Sequence, residues 1–391
     1  MPGWHKRTQA LQAAGKIQIV GIVQEQHAER CRLFKQWQGF QWPIAVDSLN
    51  LYGLPSIPIA MAVDEHGILR MSSVRPGEKF DKFLKTKYPE PQIKSPPKDY
   101  QNLDACREQL KIAETAENLI KLGTAEFLFG GKDRLTRAIT AFERACDKEP
   151  ANAIAAFRLG VAYRRRFDES RATTTDFQSA SAAWSKALDL NPGQYIWRRR
   201  IQQFGPRLQK PYNFYRWIST AKKELIAAKK KPVALTIPLT ASEKMQKEDT
   251  PAVTTNKNPD PKKMVSNDDK KLARVARAVV PAKVSKGKTA RLHILLSPSK
   301  KLRSHWDPEA GPIKLWLEGD LAWKRSGTLS QSNDLLSIKA ARSVEIEVQI
   351  PVDAESGPRE LKGFVLYPIC EDTDGTCQFL RQDFSIEVRV K

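Results

Sequence analysis

The sequence predicts a multidomain chain in which an α/β segment, an all-α segment and an all-β segment follow one another. Three observations carry that expectation. Over residues 1–88 short apolar runs alternate with helical stretches, over 102–228 apolar residues recur every three or four positions, and over 289–391 they alternate with polar ones. A length of 391 residues also exceeds what one core usually organises.

The first segment reads as a helix in HKRTQALQA, a strand in KIQIVGIV, a helix from about Ala28 to Gln38 and a strand in WPIAVD. Two apolar strands then flank a turn at His66-Gly67 within YGLPSIPIAMAVDEHGILRMSS, and PGEKFDKFLKTKY closes with a helix. This order, and YGLPSIPIAMAVDEHGIL in particular, resembles the thioredoxin fold of the TlpA-like (redoxin) branch. The resemblance implies that Pro58, after Ile57, is the cis-proline that packs beside the family's redox motif. That motif is absent, because counting back from Leu11 places Trp4 and Met1 where the two cysteines of a Trp-Cys-x-x-Cys turn would stand. Lacking a low-pKa thiolate at a helix N-terminus, the segment is expected to be redox-inactive, a binding or packing module. The same alignment leaves no room for the fold's first strand, so the expectation is that a longer natural chain supplies it upstream of Met1, together with a signal or anchor.

Residues 89–101 are proline-rich and read as a stiff linker. Helices are expected at Leu103 to Phe129, Arg134 to Lys148, Ala153 to Phe167 and Phe177 to Leu188. Ala138, Phe142, Ala145 and Pro150 set a small, large, small, stop spacing that Ala180, Trp184, Ala187 and Pro192 repeat, with Leu159, Gly160 and Tyr163 between them. The pattern resembles tetratricopeptide repeats, though the 42-residue interval exceeds the usual ~34 and places an insertion in FDESRATTTD. By that resemblance the segment is a short helical stack with a protein-binding groove. The aromatic stretch from Gly193 to Ile218 is expected to cap its open end, and Arg198, Arg199 and Arg200 offer either an anion-binding edge or a solvated face.

Residues 229–288 are rich in lysine, proline, serine and threonine and read as a flexible basic tether, within which PVALTIPL has the pattern to dock as a strand. Beyond it, several short strands at period two predict an antiparallel sandwich of immunoglobulin type over 289–391. If residues 372–375 form a turn, Glu371 faces Thr376 and Cys370 faces Cys377, close enough for a disulfide. From the residues alone three states stay open: a redox pair, a structural clasp and two free thiols. The setting YPICEDTDGTCQF resembles the periplasmic amino-terminal domain of the disulfide reductase DsbD, which carries two cysteines on a late hairpin. The resemblance implies that Cys370 and Cys377 accept electrons from an upstream dithiol and reduce an oxidised partner. The spacing is six residues where that family has five, no membrane electron-transfer segment is present, and Glu371, Asp372 and Asp374 oppose thiolate formation.

Composition narrows the remaining choices. A formal charge of +21 is compatible with nucleic acid, anionic lipid or acidic proteins, but the lysine-rich stretch holds no aromatic residues for base stacking, so nucleic acid is not the expected partner. No apolar run reaches the ~18 to 20 residues of a transmembrane helix. The other cysteines, Cys31, Cys106 and Cys146, stand singly, and no CxxC, HExxH, calcium-loop or P-loop spacing occurs, so neither metal nor cofactor is expected. The resulting expectation is an extracytoplasmic thiol-disulfide relay or docking protein, with a non-catalytic scaffold as the alternative.

Overall fold

The computed structural model describes residues 2–75, 77–91, 102–170, 173–206, 217–237, 239–240, 243, 258–307, 310, 313–318, 323, 325–330, 338–371 and 376–391. Helices and sheets both occur, making the chain mixed α/β. Most of the proline-rich linker, the turn at 372–375 and the stretch 207–216 fall outside the described residues, as do 171–172 of the expected insertion.

The amino-terminal part runs α1 (Pro2–Ala13), β1 (Gly21–Val23), α2 (Ala28–Gln38), β2 (Ile44–Val46), β3 (Ala62–Val63), β4 (Leu69–Met71) and α3 (Glu78–Lys85). β1 and β2 pair in parallel and β3 and β4 antiparallel, as two separate two-stranded sheets. The strands are shorter than the apolar runs that announce them, and Val20, Ile22, Met61 and Val63 remain exposed. The hairpin turn forms because the Asp64 carboxylate accepts the His66 and Ile68 amides while Gly67 takes a left-handed φ of 82°.

Among the described residues seven helices follow: α4 (Leu103–Ile112), α5 (Ala116–Phe129), α6 (Arg134–Lys148), α7 (Ala153–Ser170), α8 (Asp176–Leu190), α9 (Tyr195–Phe204) and α10 (Trp217–Ala227). The single helix expected over Leu103 to Phe129 is two, because the Thr115 hydroxyl caps α5 by accepting the Asn118 amide and the chain extends at Ala113. Successive helices from α5 to α8 pack closely because glycine faces a large ring at two places. A Cβ on Gly123 would stand 2.7 Å from the Phe142 ring, and one on Gly160 would stand 2.5 Å from the Trp184 ring. Both rings are fully buried.

The carboxy-terminal part contains β5 (Ala273–Val280), β6 (Lys283–Val284), β7 (Thr289–Pro298), β8 (His305–Trp306), β9 (Lys314–Leu317), β10 (Arg325–Ser330), β11 (Arg342–Gln349), β12 (Gly357–Cys370) and β13 (Cys377–Val390). One sheet has the order β10-β11-β7-β5; the other has β6-β13-β12-β8, with β9 also pairing β12. Leu292, Ile294, Val344 and Ile346 from the first sheet share one core with Trp306, Val365, Tyr367 and Val388 from the second.

The basic tether requires correction. Its residues 273–280 form β5, whose Ala273, Val275, Ala276, Ala278, Val279 and Val280 are buried while Arg274 and Arg277 point outward. Lysine and arginine are abundant in the stretch, but β5 is apolar on both faces: Ala273, Val275 and Val279 join the core shared with the other sheet, while Ala276, Ala278 and Val280 join the core of the helices. PVALTIPL docks without pairing as a strand. Val233, Leu235 and Leu239 pack on Leu33, Ile218 and Leu225, and the Gln36 amide both donates to Lys231 O and accepts the Val233 amide. Glu243 is pinned further along by Arg30 and Gln203.

The cap of the helical stack also differs from expectation. Ile196, Trp197 and Phe204 of α9 do join its core, but the apolar stripe of α10 meets Leu33 of α2 instead. The outer face of the β5–β7 pair covers the stack: Ala276, Ala278, Val280 and Leu295 share a core with Phe177, Trp184 and Phe204. β5 is an edge strand, and α8 satisfies its outward backbone groups. Gln178 Oε1 accepts the Val279 amide at 2.7 Å, and Ser181 Oγ donates to Val279 O at 2.8 Å. Nearby, His293 Nε2 meets Phe204 O at 2.6 Å, and the Arg164 guanidinium lies 4.2 Å and 4.3 Å from the ring centres of Phe177 and Phe204.

Candidate thiol-disulfide site

β12 and β13 form a hairpin whose register runs without interruption from Gly357 opposite Val390 to Cys370 opposite Cys377. Apolar residues along its inner face hold that register, since a slip of one residue would turn Val365, Tyr367 and Ile386 out of the core. Cys370 and Cys377 are joined by a disulfide with Cα atoms 3.9 Å apart, and the Glu371 amide donates to Thr376 O just beyond. The turn itself, 372–375, lies outside the described residues.

The two half-cystines differ in their surroundings. Cys370 is flanked on its other side by β8, where His305 stands opposite it and Trp306 opposite Ile369, and it is 2% exposed. Cys377 opens β13, whose outer edge meets a neighbour only further along, at Arg381 and then at β6, and Cys377 is exposed. An approaching group therefore meets the Cys377 end of the bond.

On the opposite face of the sheet, β8 and β12 are anchored in the core. Trp306 is fully buried, donates its indole N–H to Ala340 O at 2.6 Å, and stands edge-on to Tyr367 with ring centres 6.0 Å apart. The Tyr367 hydroxyl donates to Asp268 at 2.7 Å; burial first and then this bond push its pKa up, keeping it neutral. Around the pair the charge is mixed. Asp307, immediately after β8, places a carboxylate oxygen within 4.8 Å of both sulfurs, whereas Glu371 is engaged by Lys270 at 2.7 Å. Phe379, 43% exposed two residues beyond Cys377, offers an apolar contact beside the bond.

The remaining cysteines lie elsewhere. Cys31 is buried in α2, where desolvation and then the Glu25 carboxylate push its thiol up to about 12, so it stays protonated and inert at neutral pH. Cys106 is buried and Cys146 half-buried, with burial raising the Cys146 thiol as well.

The other residues singled out from sequence are distributed as follows. The Ile57–Pro58 peptide is cis and both residues are exposed. Ile57 lines a cavity of about 270 Å3 with Arg30, Cys31, Arg199, Arg200 and Trp217. Ala138, Phe142, Ala145, Ala180, Trp184 and Ala187 are buried between helices, with Leu159, Gly160 and Tyr163 on the facing helix. Pro150 and Pro192 are exposed just after α6 and α8. Arg198 donates to Pro192 O and Arg199 to Gln202, while Arg200 is 2% exposed, so the three do not share one edge.

Sequence reasoning missed Asp307, His305 and Trp306 as neighbours of the disulfide, and Gly123 as the counterpart of Gly160. SHWDPEA has no alternation to mark a strand; only the register of β8 on β12 brings it there. For Gly123 a signal existed, since it lies in a helical stretch as Gly160 does and precedes a large aromatic on the next helix.

No family model matches the chain, and no curated protein does. Among solved structures, AggA, the major subunit of aggregative adherence fimbriae type I from Escherichia coli, is similar at 12% identity, covering 32% of this chain and 98% of that one, with a TM-score of 0.17. The alkylpurine DNA glycosylase AlkC of Pseudomonas fluorescens, bound to DNA containing an abasic-site analogue, is similar at 11% identity over 76% and 100%, with a TM-score of 0.14. Scores this low carry no argument about fold or function. Among the described residues no helix is long and apolar enough to cross a membrane.

Proposed function

We propose that the chain takes part in thiol-disulfide exchange through Cys370 and Cys377, outside the cytoplasm, with protein partners. The observation that carries this reading is the asymmetry of the pair: a disulfide at the open end of a hairpin, one residue exposed and the other buried beside β8. A partner thiolate attacks Sγ of Cys377, a mixed disulfide forms, and the Cys370 thiolate leaves and takes up a proton. The partner's second thiol then attacks the mixed bond, leaving two thiols here and a disulfide there, so that two electrons have moved. The reverse sequence passes them to an oxidised protein.

In this reading the carboxy-terminal sandwich is DsbD-like and of immunoglobulin type, the helices are tetratricopeptide-like, and the amino-terminal part is a thioredoxin-like module without its thiols. The cis Ile57–Pro58 bond, the two glycine-to-ring contacts and the inert Cys31 support those assignments. The helical and thioredoxin-like parts then present the redox hairpin to partners and do not themselves exchange.

One observation favours a second reading, a non-catalytic scaffold. Cys370 is 2% exposed at the end of a hairpin zipped along its whole length, as a clasp would be. Alkylation after poising in glutathione buffers separates the two. Exchange requires the pair to titrate near compartment potentials, about −180 to −300 mV; a pair still oxidised below about −300 mV is a clasp, and the exchange reading fails. In the Cys370→Ser chain the remaining Cys377 thiol is expected to trap partners as mixed disulfides.

A further inference from the structure

We propose that, once reduced, Cys370, Cys377 and Asp307 form a binding site for a soft divalent cation of the zinc and cadmium class. This goes beyond exchange with proteins, because it concerns what the dithiol does when no partner is present.

The donor atoms are already gathered. One carboxylate oxygen of Asp307 and both sulfurs lie within 4.8 Å of one another. Tetrahedral zinc, with bonds of about 2.3 Å to sulfur and about 2.0 to 2.2 Å to oxygen, holds neighbouring donors roughly 3.4 to 3.8 Å apart. The carboxylate thus has about an ångström to travel, and the sulfurs need only part to non-bonded separation. Side chains opposite each other on an antiparallel pair share a face, so both thiolates open toward the same point. The frame is fixed independently of the disulfide: β8 pairs β12 at Cys370, and Trp306, next to Asp307, is locked in the core.

Charge supplies the second argument. Two thiolates beside a carboxylate repel one another. A divalent cation removes that penalty, since three like charges become three ligands. Sulfur donors select soft cations over magnesium or calcium, and three protein ligands leave a fourth position open, so the bound ion can exchange.

A water-soluble phosphine gives two electrons to the disulfide, becoming the phosphine oxide with oxygen from water, and two thiols form. The cation then displaces both thiol protons as two metal–sulfur bonds form. Sulfur held this way is withheld from reoxidation until the ion leaves.

The test uses the full chain, reduced with phosphine under anaerobic conditions and titrated with cadmium while thiolate-to-metal charge-transfer absorbance is recorded. A Cys370→Ala, Cys377→Ala double variant defines the background from Cys31, Cys106 and Cys146. The expected result is one equivalent bound above that background, an Asp307→Asn variant weaker by at least about ten-fold, and iodoacetamide labelling of the pair slowed by cadmium. Circular dichroism of the reduced chain checks that the sandwich persists. The inference is overturned by absence of the band, by equal affinity in Asp307→Asn, or by a reduced chain that loses its sheets. A pair that titrates in glutathione but binds no cadmium leaves the exchange reading standing. One that only phosphine opens, yet binds cadmium, removes exchange and keeps the metal site.

Discussion

Replacing Gly160 by alanine places a methyl group 2.5 Å from Trp184 Cδ1 and 2.6 Å from Nε1, where carbon atoms normally rest about 3.5 to 4.0 Å apart. The indole has nowhere to go, being fully buried and stacked on Phe204 with ring centres 5.7 Å apart and planes 6° from parallel. Overpacking of this kind costs about 1 to 3 kcal/mol, while alanine for glycine inside a helix returns about 1 kcal/mol. With two ring atoms overlapped by roughly an ångström, the upper end of the cost applies, and the net expectation is a loss of about 1 to 2 kcal/mol. Trp184→Leu removes the obstructing ring, so in that background Gly160→Ala should stabilise by about 1 kcal/mol, a coupling of about 2 to 3 kcal/mol. Urea midpoints of the four chains, at unchanged slope, measure the cycle. If alanine is neutral or stabilising beside the intact tryptophan, or if its effect keeps the same sign after Trp184→Leu, the close-approach account of the helical stack is wrong.

Two further predictions concern the junction of helices and sheet. Burial, the largest cause, pushes His293 down to about 4 despite the nearby Glu345 carboxylate. Because the unfolded chain binds this proton at about 6.5 and the folded chain only at about 4, the contribution is complete above pH 6.5 and is lost as pH falls through that window, by roughly 3 kcal/mol. His293→Gln, which keeps a donor for Phe204 O, should flatten the stability profile between pH 6.5 and 4, and an unchanged profile would refute the assignment. Gln178→Ala leaves the Val279 amide of β5 without its acceptor and should cost about 1 to 3 kcal/mol. Amide hydrogen exchange should then accelerate at Val279 and its β5 neighbours ahead of β12; uniform acceleration would mean that α8 does not protect this edge.

How much was legible follows from the range of each signal. The 3.6-residue period located α6 to α8 but ran α4 and α5 together, and the small-large spacing picked out Phe142 and Trp184, because those residues announce their packing within one or two turns of the chain. The opposition of Cys370 and Cys377 was readable for the same reason, since it depends on one short turn and a two-residue period. The tether was misread because composition averages a short apolar strand into a long basic stretch: in ARVARAVV only the two arginines are exposed, and the residues around them are buried on both faces.

The sequence by itself determined the order of helical and strand segments, the single pair of cysteines close in sequence, and the absence of a CxxC pair from the amino-terminal part, all properties of local spacing. Tertiary structure alone decided that the sandwich docks on the helical stack through β5, that α10 turns back to α2, and that Asp307 joins the two sulfurs. The first two depend on which apolar face finds which partner across a hundred residues or more of chain, and the third on the register of β8 on β12. No local pattern encodes that choice, because the same buried stripe would fit any complementary face until the whole chain is folded.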